Sequence, residues 1–461
     1  MERKRGTSNK QTRAYWPLGL VGPLLGIILL QMLTGRSRVE VLNNNNGNLS
    51  QPYPCSAIFS TERDLAPFPK TFESTLGPNA VATRRQRIVE RDLLVQFFRG
   101  HQSHHLDSLR ESKGRIFRYV CDGTAMCGGL GDRVRGVYTA MFHAVLTGGA
   151  FHITDEKPFD DTIFFDRSRM EHIRASNALK CRPMARVAPW VNMDVPADHN
   201  ANVNFDQVWS EYDVIEVRSN QLPYASIYSN AAFARKLTEL GLAKVPFEVG
   251  MSAVLDLAYG TPTEWLHQSI NAVTSQIDAI CGVSSHRVGV QLRTAGQKER
   301  FSDGPEYQLQ GFGTFSSRVT KFAQQAEDSC HKSAPNHCCI FLTSDDDDSF
   351  KMFSKAVGRG KYSKVSTHID AFHSVTGKVS VIYHGGSTAP IHLDRSTGSG
   401  PEFFVETTKT YLDWYVLAYH MDHLVISFSG YGESAALANL TDFVVETKTG
   451  FDRRPVRYLG L

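Results

Sequence analysis

Four clusters along the chain combine residue types and spacing that suit an anionic ligand. Gly128-Gly129-Leu130-Gly131-Asp132-Arg133 places three glycines just ahead of an apolar stretch. Glycines let a backbone turn pass close to a ligand, and the free N–H groups of a following helix attract negative charge. The spacing is not G-x-G-x-x-G, so the dinucleotide fingerprint is excluded. The same turn also suits tight strand-to-helix packing. Gln291-Leu292-Arg293 closes the run RVGVQLR, and a guanidinium at a strand end either grips a phosphate bidentately or closes a structural salt bridge. Thr343-Ser344-Asp345-Asp346-Asp347-Asp348 follows the apolar CCIFL. Those carboxylates suit a divalent ion neutralising a diphosphate, and they equally suit the start of the next helix, where at least two of the four are expected as caps. The fourth cluster is Asp413 with Ser427-Phe428-Ser429. Hydroxyls and free amides ahead of a helix make an anion site or a plain turn.

The elements that must hold these groups follow from hydrophobic periodicity. IFRYVCDG reads as a strand, VRGVYTAMFHAVLTGG (134–149) as a helix ending in Gly148-Gly149, and FHIT (151–154) as another strand. The alternation resumes with strands at 287–293, 338–345, 379–384 and 424–429. Helices are expected at 315–329, 348–358, 405–423 and 432–440. Strands alternating with helices imply an α/β fold with parallel sheets. Units opening near 120 and near 290 suggest two Rossmann-like halves facing a cleft, with ligands at the carboxyl ends of the strands.

The N-terminus reads as a membrane anchor. Trp16–Gly35 is free of charge over 20 residues, enough for a helix of ~30 Å, the thickness of a hydrocarbon core. Arg3, Lys4, Arg5, Lys10 and Arg13 precede it against Glu2 alone, which orients the N-terminus to the cytosol. The run is long and lacks a small-x-small cleavage site, so an anchor is preferred to a cleaved signal peptide. Of the net charge of +3, these first residues supply +4, leaving the rest at −1. The basic balance is therefore a topology signal and excludes a nucleic-acid footprint. With 41% hydrophobic and 21% charged residues, the chain lies outside the disordered regime. Asn48-Leu49-Ser50 and Asn439-Leu440-Thr441 are glycosylation sequons. The cysteine count is even, at eight. Cys121 with Cys127, and Cys330 with Cys338 or Cys339, are close enough for short disulfide loops. No CxxC pairs stand out, so zinc is not expected. The stretch His101–His105 reads as a solvated helix end.

These blocks resemble, in order, the inverting GDP-fucose-dependent fucosyltransferases of the two-Rossmann (GT-B) type. The stretch 118–153 is similar to the opening of plant xyloglucan-type fucosyltransferases, where a GLGNR turn precedes such a helix. This chain has GLGDR, with Asp132 in place of Asn. VGVQLR (288–293) resembles the strand whose terminal Arg binds the donor diphosphate, LTSDD (342–346) a shared strand end, and 411–430 a block in which an Asp contacts guanine and a Ser contacts phosphate. Many members carry His two positions before the Arg and a second Arg after it. Here those positions are Gln291 and Thr294, a pattern closer to the plant branch.

The resemblance implies a cytosolic tail (1–14), a transmembrane anchor (15–35), a stem and lead-in (36–110), an acceptor-side domain (111–285), a nucleotide-sugar domain (286–445) and a tail (446–461). It implies Golgi residence as a single-pass type II protein, GDP-fucose as donor, and a glycan or glycoprotein as acceptor. No metal cofactor is expected. Arg293 would stabilise the leaving diphosphate, with Gln291 and Asp345 beside the donor, Asp413 at guanine and Ser427 or Ser429 at phosphate. Gly129, Gly131, Asp132 and Arg133 would form the acceptor-side turn. The general base stays open among Asp303, Glu306, Asp132 and Asp194, with Asp303 the catalytic candidate beside Arg293. Two rivals are a metal-dependent GT-A glycosyltransferase using Asp345–Asp348 and a non-catalytic lumenal carbohydrate-binding protein.

Overall fold

The computed structural model describes residues 71–74, 83–109, 114–121, 128–155, 159–180, 187–188, 203–218, 230–293, 315–333, 337–346, 348–358, 361–364, 370–373, 378–384, 400–427, 429–447 and 450–454. In chain order the N-terminal half holds α1 (Arg84–Ser108), β1 (Ile116–Cys121), α2 (Leu130–Thr147), β2 (Ala150–Asp155), α3 (His172–Lys180), β3 (Val187–Ala188), β4 (Val214–Val217), α4 (Ala231–Glu239), α5 (Phe247–Tyr259) and α6 (Glu264–Cys281). The C-terminal half holds β5 (His286–Leu292), α7 (Phe315–Ser333), β6 (Cys338–Ser344), α8 (Asp348–Ala356), β7 (Lys361–Lys364), β8 (Asp370–His373), β9 (Val379–Tyr383), α9 (Pro401–His420), β10 (His423–Ile426), α10 (Gly430–Ala438), β11 (Phe443–Thr447) and β12 (Gly450–Arg454).

The first sheet has the order β2-β1-β4-β3 and is parallel throughout. The second has the order β12-β11-β10-β5-β6-β9-β8-β7. Its five central strands are parallel, and β12, β8 and β7 join antiparallel at the two edges. Strands covered by helices on both faces read as unbroken apolar runs. CCIFLTS in β6 is buried along its whole length, and Val288, Val290, Leu292, Ile340, Leu342 and Val381 pack with Phe322 and Phe353 into the core of this half.

The chain reverses direction across the second sheet. It steps from β5 to β6 and β9 on one side, then returns through α9 to lay β10 and β11 on the other side of β5. The crevice between the ends of β5 and β10 is therefore the switch point where open α/β sheets bind ligands.

Two boundaries differ from expectation. Residues 84–108, assigned to the lead-in, form α1, whose Leu94, Phe97, Phe98 and Leu106 are buried against the N-terminal half. Thr83 and Gln86 cap it reciprocally, Gln86 N–H donating to Thr83 Oγ1 at 3.3 Å and Thr83 N–H to Gln86 Oε1 at 2.8 Å. His101 lies inside this helix, not at a solvated end: it is buried and within 3.2 Å of the Gly149 carbonyl. At the other end, residues assigned to the tail supply β12, paired with β11. Among the described residues no helix is long and apolar enough to cross a membrane. Residues 15–35 lie outside them.

Adjacent cysteines at the start of β6 form separate disulfides, Cys338 with Cys330 and Cys339 with Cys281. The first was among the expected pairings. Neighbouring residues of a strand point to opposite faces, so Cys338 ties the sheet to α7 and Cys339 ties it to α6. Cys121 is also disulfide-bonded, and Cys127 lies outside the described residues. Of the sequons, Asn48 lies outside the described residues too. Asn439 sits at the end of α10 with its carbonyl accepting from Arg84, and Thr441 is fully buried, so this tripeptide is not a surface loop.

Candidate functional site

At the switch point the backbone and side chains of β5 and β10 lock together. Ser427 N–H donates to the Gln291 carbonyl at 2.9 Å, and Arg293 N–H donates to Ser427 Oγ, also at 2.9 Å. Arg318, on α7 and 5% exposed, braces this junction from beneath. Its Nη2 donates to Ser427 Oγ at 3.2 Å, its Nη1 to the Arg293 carbonyl, and its Nε to Glu446 Oε1 at 2.6 Å. Both oxygens of Glu446, on β11, are held by Arg318. A buried bidentate pair of this kind is strong only when its remaining groups are also satisfied, and the Arg293 carbonyl and Ser427 satisfy them here. Arg293 thus leaves β5 from a rigid seat. Ser427 is a brace within it.

Ser429 behaves differently. It is the residue before α10, in extended conformation, and its Oγ is buried with no hydrogen-bond partner among the described residues. Gln291 Oε1 is likewise buried without one and faces Gly432 in the first turn of α10, 2.9 Å from where a Cβ would sit there. Buried polar atoms without partners are costly. Two of them beside the N-terminus of a helix mark a place where a ligand with both donors and acceptors would be held.

A second cluster gathers at the ends of β6 and β9. His384 follows β9, and its Nδ1 lies 2.6 Å from Asp413 Oδ1. Asp413, on α9, is fully buried. Its other oxygen accepts from Thr343 Oγ1 at 3.4 Å and lies 3.7 Å from Lys409 Nζ. Lys409 Nζ donates to the His384 carbonyl and sits 4.9 Å from the centre of the Tyr383 ring. Burial alone would push the Asp413 carboxyl up, but Lys409, His384 and Thr343 outweigh it and hold the carboxyl below the usual range. Both Asp413 oxygens are therefore engaged by protein groups, and the side chain lies behind His384 rather than at the surface.

The glycine turn reaches the same place from the N-terminal half. Gly128 takes a positive φ of 75°, and its carbonyl accepts from Arg133 Nε at 3.2 Å. Arg133 is fully buried and paired with Asp155 at the end of β2, at 2.6 Å. Burial pushes the Asp155 carboxyl up while Arg133 pulls against it. Arg133 thus clamps the turn to β2. Asp132 Oδ2 accepts from Gly129 N–H at 3.2 Å. Gly131 meets Gly430 so closely that a Cβ on it would fall 2.0 Å from the Gly430 carbonyl carbon. The first turns of α2 and α10 abut, and Arg135 bonds Glu433 across the junction at 2.8 Å.

The remaining candidates lie just past β6, at the start of α8 or outside the described residues. Asp346, just before α8, accepts from Ser349 Oγ at 3.1 Å, and Asp348, in its first turn, pairs with Lys351 at 3.1 Å on the surface. Asp345 lies just past β6 and is half-buried. Asp303 lies outside the described residues. Sequence reasoning missed Arg318, Glu446, His384 and Lys409. Only His384 carried a local signal, as a polar residue ending the apolar run VSVIYH.

No family model and no curated protein matches the chain. Among solved structures it is similar to Arabidopsis thaliana FUT1, a point mutant in complex with GDP, at 11% identity and a TM-score of 0.48 over 83% of this chain and 84% of that one. It is also similar to the fucosyltransferase NodZ from Bradyrhizobium, at 12% identity and a TM-score of 0.38 over 74% of this chain and 100% of that one.

Proposed function

We propose that the chain is an inverting, GT-B-type fucosyltransferase that uses GDP-fucose and transfers L-fucose to a hydroxyl of a glycan or glycoprotein. The observation that carries this reading is the junction of β5, β10 and α10. There Arg293 is seated at a topological switch point, beside the unpartnered Ser429 hydroxyl and the N-terminus of α10. That is a diphosphate cradle by its chemistry. The sugar and the guanine base rest on the motif resemblance. In the reaction the acceptor oxygen bonds to the anomeric carbon from the face opposite the leaving group. The bond from that carbon to the diphosphate oxygen breaks, and GDP leaves. Arg293 and the amides of α10 stabilise the charge that develops on GDP. The acceptor proton passes to a base, for which Asp303, Glu306, Asp132 and Asp194 are the candidates. The anchor at 15–35 and stem would hold the enzyme as a type II protein in the Golgi membrane, and the disulfides suit that oxidising lumen.

A donor screen by thermal shift tests this. GDP and GDP-fucose should stabilise the protein, by about 2.7 kcal/mol at a hundredfold excess over Kd, whereas UDP- and CMP-sugars should not. Stabilisation by a UDP- or CMP-sugar in place of GDP overturns the reading.

A further inference from the structure

The second cluster lies where a nucleotide seated at the switch point would extend. Along the sheet the order is β10-β5-β6-β9. Three strand spacings of ~4.8 Å put the end of β9 about 14 Å from the end of β10, a span that a nucleoside diphosphate covers. His384 stands at that end with its side chain 14% exposed, while that of Asp413 is 1% exposed. The contact with the Asp413 carboxylate places a proton on Nδ1. In the neutral ring Nε2 is then the acceptor, turned away from Asp413. Lys409 balances the Asp413 charge and ties down the His384 carbonyl, so ring and backbone are both fixed. The same helix connects to the phosphate side: Trp414 Nε1 donates to Ser434 Oγ at 3.0 Å and Tyr431 OH to the Thr410 carbonyl at 2.7 Å, joining α9 to α10.

We infer that His384 is the residue that meets the nucleoside of the donor, accepting a hydrogen bond at Nε2 from a base N–H or a ribose O–H, and that Asp413 acts through it as a positioning residue. The inference rests on the donor reading above, and it moves the specificity contact from the helix to the end of β9.

Titration calorimetry with GDP, inosine 5′-diphosphate and 2′-deoxy-GDP, on the full chain and on His384→Ala, tests it. Wild type should bind GDP, and His384→Ala should bind it about tenfold more weakly, the size of one hydrogen bond to an otherwise unpaired acceptor. If the partner is the base amino group, wild type prefers GDP to the inosine nucleotide and the variant loses that preference. If the partner is the ribose hydroxyl, the lost preference is for GDP over its 2′-deoxy form. In turnover His384→Ala should raise the donor KM with kcat little changed. Asp413→Asn, which disturbs the ring's proton placement, should lower GDP affinity in the same direction, and His384→Asn gives a second variant should the alanine fail to fold. GDP binding equal in wild type and folded His384 variants overturns the inference while leaving the donor reading intact. No GDP binding by wild type overturns the donor reading itself.

Discussion

Arg293 and Arg318 divide one task between them. Arg293 was visible in the sequence because a cationic residue ending an apolar strand has few structural uses. Arg318 was not, because its partners, at 293, 427 and 446, come together only when β5, β10 and β11 pair. Arg293→Ala removes the charge that would face the leaving group. Transfer should fall by about 10²–10³-fold, with the unfolding midpoint unchanged, and a donor-saturated rate assay with a parallel melt checks both. Arg318→Lys keeps a positive charge but loses the planar fork that joins Glu446, Ser427 and the Arg293 carbonyl. It should lower the melting temperature and weaken GDP binding together. If GDP affinity is retained in the melted-down variant, the brace has no bearing on the site.

Helix α10 meets the N-terminal half at both of its ends. Its N-terminus is part of the proposed cradle, and its C-terminal carbonyls are satisfied from the N-terminal half. Ser252 Oγ donates to the Ala438 carbonyl at 2.9 Å, Arg84 Nε to that of Asn439 at 3.2 Å and Arg87 Nη2 to that of Leu440 at 3.4 Å. Two guanidiniums at the end of a helix complement its dipole as well as its open acceptors. The contact with α2 at the other end depends on glycine, and the dependence is unequal. A Cβ at Gly131 would overlap the Gly430 backbone at 2.0 Å, whereas one at Gly430 would rest 3.4 Å from its nearest neighbour. Gly131→Ala should therefore cost about 1–3 kcal/mol in urea unfolding and weaken GDP binding, with Gly430→Ala much milder in both. Equal effects would show that the helix starts are free to separate. The glycine cluster itself was plain in the sequence. That it faces a second glycine helix start nearly three hundred residues later was not.

Across the whole molecule, buried histidines link stability to acid. His143 is enclosed by Phe205, Trp209 and Phe233, and burial lowers its pKa to about 3. Burial is also the largest cause at His101, lowered to about 4, and at His152, lowered to about 2. A group whose folded pKa is depressed contributes stability above its unfolded value that is lost as pH falls toward the folded one. For His143 the window runs from about 6.5 down to about 3. Replacing it with methionine, of similar volume and without a titrating group, should leave the protein progressively more stable than wild type through that window. Melts of the two proteins at matched pH values check this, and parallel curves would show that His143 carries none of the acid response.

Much of the architecture was legible because helix and strand periods are local. The alternation from 116 to 155 and from 286 to 438 sits within a few residues of the observed elements, and the strand-terminal positions of Arg293, Thr343 and Ser427 followed from it. Three things were decided only by the tertiary structure. The short strand β4 and the edge strand β12 are too brief to carry a period and exist through pairing. The helix α1 has mixed polar and apolar positions, and it becomes part of the fold because it packs on α5 and β2. The roles of individual polar residues were assigned by burial: Asp413 and Arg133 look like ligand groups in sequence, yet both are enclosed and paired, and His384 stands nearer the solvent in front of one of them. Residue type and spacing establish which groups are available at a strand end. Which of them faces outward depends on what the neighbouring strands and helices cover.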